Sequence, residues 1–141
     1  TNIAGLRQLR AALEPLRASV LPVELPYYTG PEACLHLLSL ISIVDHKLAV
    51  VYPPLMAVPF WQELQRRDFR LIEVSDGEFA TMGTNVLALA PGKCLMLAGN
   101  PITQRKLEEA GCEVMTYTGN EISHKAEGGP TCLTRPVWRE E

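Results

Sequence analysis

The stretch 100-NPITQRKLEEAGCEVMT-116 predicts a helix that is followed at once by a strand. Asn100 is a residue type that caps helices, Pro101 suits the first helical position, and Gly111 can adopt the left-handed conformation that ends a helix. The last four residues of the stretch form a short strand core. This part of the chain is therefore expected to contribute one helix and one strand to an α/β fold.

The same order of helix and then strand recurs along the chain at intervals of roughly 40 to 50 residues. The first helix carries leucines at helical spacing from Leu6 to Leu16, and the second runs from about Pro59 to Arg67. The strand cores that follow the helices lie at 22–25, 71–74 and 113–116. A spacing of this length is typical of repeat proteins, so the chain is expected to consist of related units.

Each strand core is followed by a polar loop that contains glycine and then by a further apolar run. Asp45-His46-Lys47 and Pro91-Gly92-Lys93 suit hairpin turns, because turn-forming residues there separate two apolar runs. The pattern predicts two complete βαβ-type units and part of a third. The repeat units are expected at roughly 3–55, 56–99 and 100–141. Missing copies are also expected, because the chain starts and stops within the pattern.

The composition is that of one globular domain. The chain has 141 residues, of which 47% are apolar and 21% charged, and this length is enough to bury a core. The formal net charge of −3 argues against a nucleic-acid partner and favours a small or cationic ligand. The apolar runs are far shorter than the roughly 20 residues of a membrane span, so no membrane partner is expected. The first residue is Thr1, which is consistent with processing or with a part of a longer protein.

The cysteines are scattered, with no C-x-x-C pair and no histidine at zinc spacing. We therefore expect a reduced, cytoplasmic protein without a metal site. Cys34, Cys94 and Cys112 lie in or beside apolar runs, where core packing is the expected role. His46 and His124 resemble solvated turn residues.

Cys132 and His36 are the candidates for catalysis. Cys132 follows the pair Gly128-Gly129 in a short β-prone run, and His36 opens the strand-like segment 35–44. Glycine permits positive φ or a close backbone approach. A thiol on such a turn and an imidazole at a strand end are the two parts needed for thiolate catalysis. Taken alone, each residue is more often a core residue, so the prediction depends on a fold that brings the two together.

Five segments of the chain resemble one enzyme family. They are 1-TNIAGLRQL-9, 34-CLHLLS-39, 49-AVVYPP-54, 119-GNE-121 and 128-GGPTCLT-134. Together they look like the C-terminal half of a pentein-fold guanidine-modifying enzyme, with the greatest likeness to the dimethylarginine dimethylaminohydrolases. The resemblance extends over essentially the whole chain. Its most specific parts are the segments that contain His36 and Cys132.

The resemblance implies a fold, an activity and a site. The fold is a propeller-like ring of five ββαβ modules, of which this chain would supply about two and a half. The activity is hydrolysis of a guanidino substrate, in the first place an N-methylated L-arginine, to L-citrulline and an amine without a metal or organic cofactor. Cys132 would be the nucleophile that forms a thiouronium intermediate, and His36 the acid/base. Leu35 and the backbone near Ala126 would contact the substrate.

The resemblance also implies a partner. The family residues that hold the guanidinium and the substrate carboxylate lie mainly in the half that is absent here, so a missing N-terminal half or a second copy of the chain is expected. Asp76 and Glu78 could face the ring centre, or could belong to a solvated connection. Asn85 resembles a family position that begins a strand, where it is expected to satisfy backbone groups.

Three alternatives to this activity stay open, of which two are other reactions and one is a non-catalytic role. Arginine deiminases and amidinotransferases resemble this region too, but they typically place an acidic residue right after the histidine-hydrophobe pair. Leu38 occupies that position here, which favours the dimethylargininase-like branch. Because penteins also serve purely as binding proteins, a non-catalytic pentein binding module is the third alternative.

Overall fold

The computed structural model describes residues 1–32 and 35–138. The helices in these ranges are α1 (Ile3–Leu13), α2 (Val58–Arg66), α3 (Asp76–Phe79), α4 (Pro101–Glu109), α5 (Ser123–Ala126) and α6 (Pro130–Leu133). The strands are β1 (Ile41–Asp45), β2 (Leu48–Val51), β3 (Arg70–Glu73), β4 (Leu87–Ala90), β5 (Lys93–Leu97) and β6 (Glu113–Tyr117). Short 3₁₀ turns lie at Glu14–Leu16, Leu37–Ser39 and Pro53–Leu55. The predicted α/β class is therefore confirmed.

The strands form two sheets of the same design. In the first sheet β1 pairs antiparallel with β2, and β2 pairs parallel with β3. In the second sheet β4 pairs antiparallel with β5, and β5 pairs parallel with β6. Helix α2 connects β2 to β3 and helix α4 connects β5 to β6, as parallel neighbours require. Each sheet with its helix is thus a ββαβ unit.

The two units share one hydrophobic core. Along β2, Leu48 and Val50 pack into a buried cluster that also contains Cys94 and Met96 of the second sheet. The alternate residues of β2, Ala49 and Val51, pack on the other face against α2. Because successive side chains of a strand point to opposite faces, β2 is buried on both sides. The two units are consequently packed against each other.

The predicted hairpins are present, but two predicted strands are wrong. Residues 22–25 adopt neither helix nor strand, since Pro22 and Pro26 lack the N–H groups that a strand ladder uses. Thr131 and Cys132 lie in helix α6 instead of a strand, where Pro130 suits the first turn. His36 also does not begin a strand, because a 3₁₀ turn at Leu37–Ser39 precedes β1.

The N-terminus of helix α4 is capped by Glu78 and not by the predicted Asn100 side chain. Glu78 is buried and accepts hydrogen bonds from the backbone N–H of Ile102 at 2.7 Å and of Thr103 at 2.8 Å. The Thr103 hydroxyl donates a third at 2.6 Å. A carboxylate is favoured there because the helix dipole is positive at its N-terminus. Neither predicted role for Glu78, in the ring centre or in a solvated loop, is therefore correct.

Asn100 holds the loop that follows α3. Its Nδ2 donates to the carbonyl groups of Leu97 and Thr81, each at 3.1 Å, and its Oδ1 accepts from the Thr81 hydroxyl at 2.7 Å. Asp76 at the start of α3 accepts a hydrogen bond from the hydroxyl of Tyr52 at 2.9 Å. The segment from α3 to β4 is thereby fixed on both units, and it leads directly into the candidate site.

Among residues 1–32 and 35–138, no helix combines the length and the hydrophobicity that crossing a membrane would need.

Candidate active site

The fold brings Cys132 and His36 together although 96 positions separate them in the sequence. The Cys132 Sγ lies 4.0 Å from Nε2 of His36. Both side chains are accessible to solvent, and both line a cavity of about 180 Å³. The other residues that line this cavity are Leu35, Ser39, Phe79, Met82, Thr84, Asn85, Glu127 and Gly129. A thiol and an imidazole at this distance, facing one cavity, have the arrangement expected of a nucleophile and its acid/base.

The two predicted substrate contacts lie in different places. Leu35 lines the cavity beside His36. Ala126 is exposed at the end of helix α5 and is not among the lining residues, although the next residue, Glu127, is. A contact between substrate and the backbone at Ala126 therefore stays a prediction.

His36 is held by the 3₁₀ turn that follows it. Its backbone N–H donates to Oγ of Ser39 at 3.4 Å, and its carbonyl accepts from the Ser39 N–H at 2.9 Å. The Ser39 carbonyl in turn accepts from the Thr84 hydroxyl at 2.8 Å. Ser42 of β1 continues this contact, because its hydroxyl donates to the Thr84 carbonyl at 2.6 Å. The turn that carries His36 is thereby tied to the residues that precede β4.

Cys132 is held by Asn85. The Oδ1 of Asn85 accepts hydrogen bonds from the backbone N–H of Thr131 at 3.0 Å and from its hydroxyl at 2.9 Å. Its Nδ2 donates to the Cys132 Sγ at 3.4 Å. The predicted role of Asn85 in satisfying backbone groups is thus correct, but its contact with the sulfur was not predicted. The sequence does offer one signal for such a contact, which is an amide at the start of an apolar run. An amide buried there needs hydrogen-bond partners.

The second glycine before Cys132 is needed because Asn85 packs closely against the backbone there, and not because the backbone adopts positive φ. Gly129 has φ −81°, which any residue can adopt, and the left-handed residue of this loop is Glu127, with φ 53°. A Cβ on Gly129 would lie 2.4 Å from both Cγ and Oδ1 of Asn85. A Cβ on Gly128 would lie 3.4 Å from the Cβ of Cys132, an ordinary contact. The absence of a side chain is required at the second glycine.

We expect Gly129→Ala to lower the free energy of unfolding by about 1–3 kcal/mol, the usual cost of forcing extra atoms into a packed site. Gly128→Ala is the matched control, and we expect it to lower this free energy by less than Gly129→Ala does, because the added methyl group would make only ordinary contacts. Urea denaturation of both variants measures the difference. Equal stability of the two variants would show that Asn85 moves aside without cost.

The other described cysteines are chemically unlike Cys132. Cys94 and Cys112 are buried, which confirms their predicted packing role, and Cys34 lies outside the described residues. Burial and the neighbouring Cys112 raise the pKa of Cys94 to about 12. Burial likewise raises the pKa of Cys112. Because only the thiolate is a strong nucleophile, burial and the raised pKa lower the reactivity of both thiols near neutral pH.

The cavity suits an organic cation better than a metal ion. Among the described residues that line it, Glu127 carries the only carboxylate. Leu35, Phe79 and Met82 add an apolar surface. In the part of the chain that the structure describes, no group of three or more His, Cys, Asp or Glu side chains is placed to hold a metal ion. His124, for its part, is exposed and is not among the lining residues.

A family model described as arginine deiminase matches residues 57–139. The chain belongs to the arginine deiminase family. The matched part of this family member includes Cys132, whereas Leu35 and His36 precede it. An arginine deiminase of Mycoplasma capricolum is 49% identical over 59 residues, which are 42% of this chain and 14% of that protein.

Solved structures share the fold of this arginine deiminase family member. An amidinotransferase of Microseira wollei from the saxitoxin biosynthetic pathway matches the whole chain and 40% of its own, with a TM-score of 0.79 and 20% identity. The dimethylarginine dimethylaminohydrolase of Pseudomonas aeruginosa, in complex with citrulline, matches 94% of this chain and 46% of its own, with a TM-score of 0.70 and 25% identity. The predicted pentein superfamily and fold are confirmed. The chain spans less than half the length of each of these three proteins.

Proposed function

We propose that this chain supplies the nucleophile and the acid/base of an enzyme that hydrolyses a guanidino compound. The substrate we propose is an N-methylated L-arginine, and the products are L-citrulline and a methylated amine. The observation that carries the proposal is the 4.0 Å distance between the Cys132 Sγ and Nε2 of His36 in a common cavity. Membership of the arginine deiminase family supports guanidine chemistry in general.

The proposed reaction has two halves. The Cys132 thiolate attacks the guanidinium carbon, and the bond from that carbon to the substituted nitrogen breaks as His36 donates a proton to the departing amine. The product of this half is a covalent S-alkylthiouronium. His36, now neutral, removes a proton from water as the water attacks the same carbon, and the carbon–sulfur bond breaks to release citrulline and regenerate Cys132. A guanidinium carbon is a poor electrophile, so both proton transfers are needed.

The lining of the cavity supports a methylated cation as the substrate. The carboxylate of Glu127 offers negative charge to a cation, and Phe79 and Met82 offer apolar contact to methyl groups. One carboxylate is few for a guanidinium, which presents donors on all sides. We propose that the remaining contacts come from a partner, which is either an N-terminal half like that of the longer relatives or a second copy of this chain.

Two other reactions have specific support. The matched family model favours arginine itself as the substrate, with ammonia as the leaving group. The fold shared with an amidinotransferase favours transfer of the amidino group to an amine. Either reaction would lead us to expect an acidic residue at position 38. The exposed Leu38 on the 3₁₀ turn after His36 therefore argues against both.

We expect a chloroacetamidine-type electrophile to label Cys132 in preference to Cys94 and Cys112. At about pH 8, a pKa of about 12 for Cys94 leaves roughly 10⁻⁴ of it as thiolate. Peptide mapping by mass spectrometry reads each cysteine separately, including Cys34. Labelling that is spread evenly over all of the cysteines, or that spares Cys132, would contradict the assignment.

Product analysis of the same protein then separates the candidate reactions. Citrulline and dimethylamine from asymmetric dimethylarginine support the proposal. Citrulline and ammonia from arginine, with dimethylarginine left untouched, identify a deiminase. Ornithine and guanidinoacetate from arginine and glycine identify a transferase. Specific labelling of Cys132 without any product, also when the partner that supplies the remaining contacts is present, would instead identify a binding module that retains a reactive thiol.

A further inference from the structure

We infer that Asn85 is a positioning residue that favours the thiolate form of Cys132 and sets the location of its sulfur. The inference rests on the proposed function, because it concerns the nucleophile assigned there. Its contact with the sulfur is made through Nδ2, which donates to Sγ at 3.4 Å. A donor of this kind stabilises a thiolate more than a thiol, because hydrogen bonds to an ionised acceptor are the stronger ones.

The orientation of the amide is determined by its other end. Two donors from Thr131, the backbone N–H and the hydroxyl, converge on Oδ1 of Asn85. If Nδ2 occupied that position, it would be a donor placed opposite two other donors, and no hydrogen bond would form. The oxygen must therefore point toward Thr131 and the nitrogen toward the sulfur. The direction of the N–H group is therefore fixed by helix α6 itself.

The location of Asn85 is fixed from the side of His36. The residue is 6% exposed, and its neighbour Thr84 donates to the carbonyl of Ser39 in the turn that follows His36. Gly129 lets the amide approach helix α6 more closely than any side chain would allow. Asn85 thus joins the segment that carries the imidazole to the helix that carries the thiol.

Asn85→Asp separates anchoring from electrostatics. Aspartate is nearly the same size and keeps an oxygen for Thr131, but it replaces the donor near the sulfur by a negative charge. We expect the pH at which iodoacetamide alkylates Cys132 at half its maximal rate to rise by about 1–2 units. Asn85→Ala removes the donor without adding charge, so we expect a smaller rise in the same direction.

Asn100→Asp is the matched control. It makes the same chemical change at another buried amide, whose bonds go to Thr81 and Leu97 and not to the site. We expect this variant to lose stability in urea without moving the alkylation profile. An unmoved profile in folded Asn85→Asp, or an equal movement in Asn100→Asp, would overturn the inference.

Alkylation needs no substrate turnover, so the outcome is independent of the reaction catalysed. A wild-type protein that turns over no guanidino compound even with its partner present, but whose Asn85→Asp profile moves as described, would contradict the proposed function and leave the role of Asn85 intact. An active wild type whose Asn85→Asp alkylation profile is unmoved would support the proposed function and contradict the role of Asn85.

Discussion

Cys132→Ser is expected to lower the rate of guanidine hydrolysis by at least about 10⁴-fold, because removing the nucleophile of a covalent mechanism leaves only binding and positioning. A serine hydroxyl is not ionised near neutral pH, and the 4.0 Å between the sulfur and His36 is longer than a hydroxyl hydrogen bond. The Cys132 side chain is exposed, so the free energy of unfolding should change by less than about 0.5 kcal/mol. Steady-state citrulline formation and urea denaturation measure the two effects.

Cys112→Ser is the matched control for this substitution. It makes the same atomic change at a cysteine that is 7% exposed and does not line the cavity. We expect it to lower stability, because it places a hydroxyl in an apolar cluster, while the folded protein keeps its rate. Retention of more than a tenth of the wild-type rate by Cys132→Ser would show that another group attacks the substrate.

His36→Ala is expected to lower the hydrolysis rate by about 10² to 10⁴-fold, the range for loss of a positioned acid/base. The loss should be partly restored by added imidazole, because the site is open to solvent and the shortened side chain leaves space in the cavity of about 180 Å³. His124→Ala is the control, since His124 is exposed and does not line that cavity. We expect it to retain the full rate.

An S-alkyl isothiourea analogue of the substrate tests which steps His36 serves. A thiolate leaves without protonation, so His36→Ala should still form the covalent adduct on Cys132 and release one equivalent of thiol. The adduct should then persist, because the variant lacks the base that activates water. Intact mass spectrometry detects the adduct. Rapid turnover of the analogue by His36→Ala would limit His36 to protonation of the amine, and failure to form any adduct would point to a role in placing the thiolate.

Local sequence signals predicted those parts of the fold that local physics controls. Gly111 ends helix α4 with φ 97°, and Gly92, with φ 70°, lies in the hairpin between β4 and β5. Both follow from the tolerance of glycine for positive φ. The same signals failed at 22–25, where apolar residues at strand spacing do not form a strand. Strand formation depends on a neighbour with free backbone groups, which a single segment cannot reveal.

The candidate site also contains features that the sequence predicted and features that it did not. The residue types at 36 and 132 indicated a thiol and an imidazole, and the resemblance of the segments around them to guanidine-modifying enzymes implied a guanidino substrate. That Asn85 satisfies backbone groups was predicted, but its contact with the sulfur was not, because Cys132 lies 47 positions away in the sequence. At Asn100 a local signal gave a wrong prediction. Its side chain was expected to cap helix α4, but the buried carboxylate of Glu78, which belongs to another element, accepts the hydrogen bonds there.

The sequence by itself determined the α/β class, the glycine that ends helix α4 and the hairpin turns, because each of these depends on residues close together in the chain. The resemblance of its segments to one enzyme family pointed to the two candidate catalytic groups. Only the tertiary structure decided that the thiol and the imidazole face one cavity and that an amide contacts the sulfur. The physical reason is that distance, burial and hydrogen-bond partners across the fold arise from the packing of two ββαβ units on a shared core.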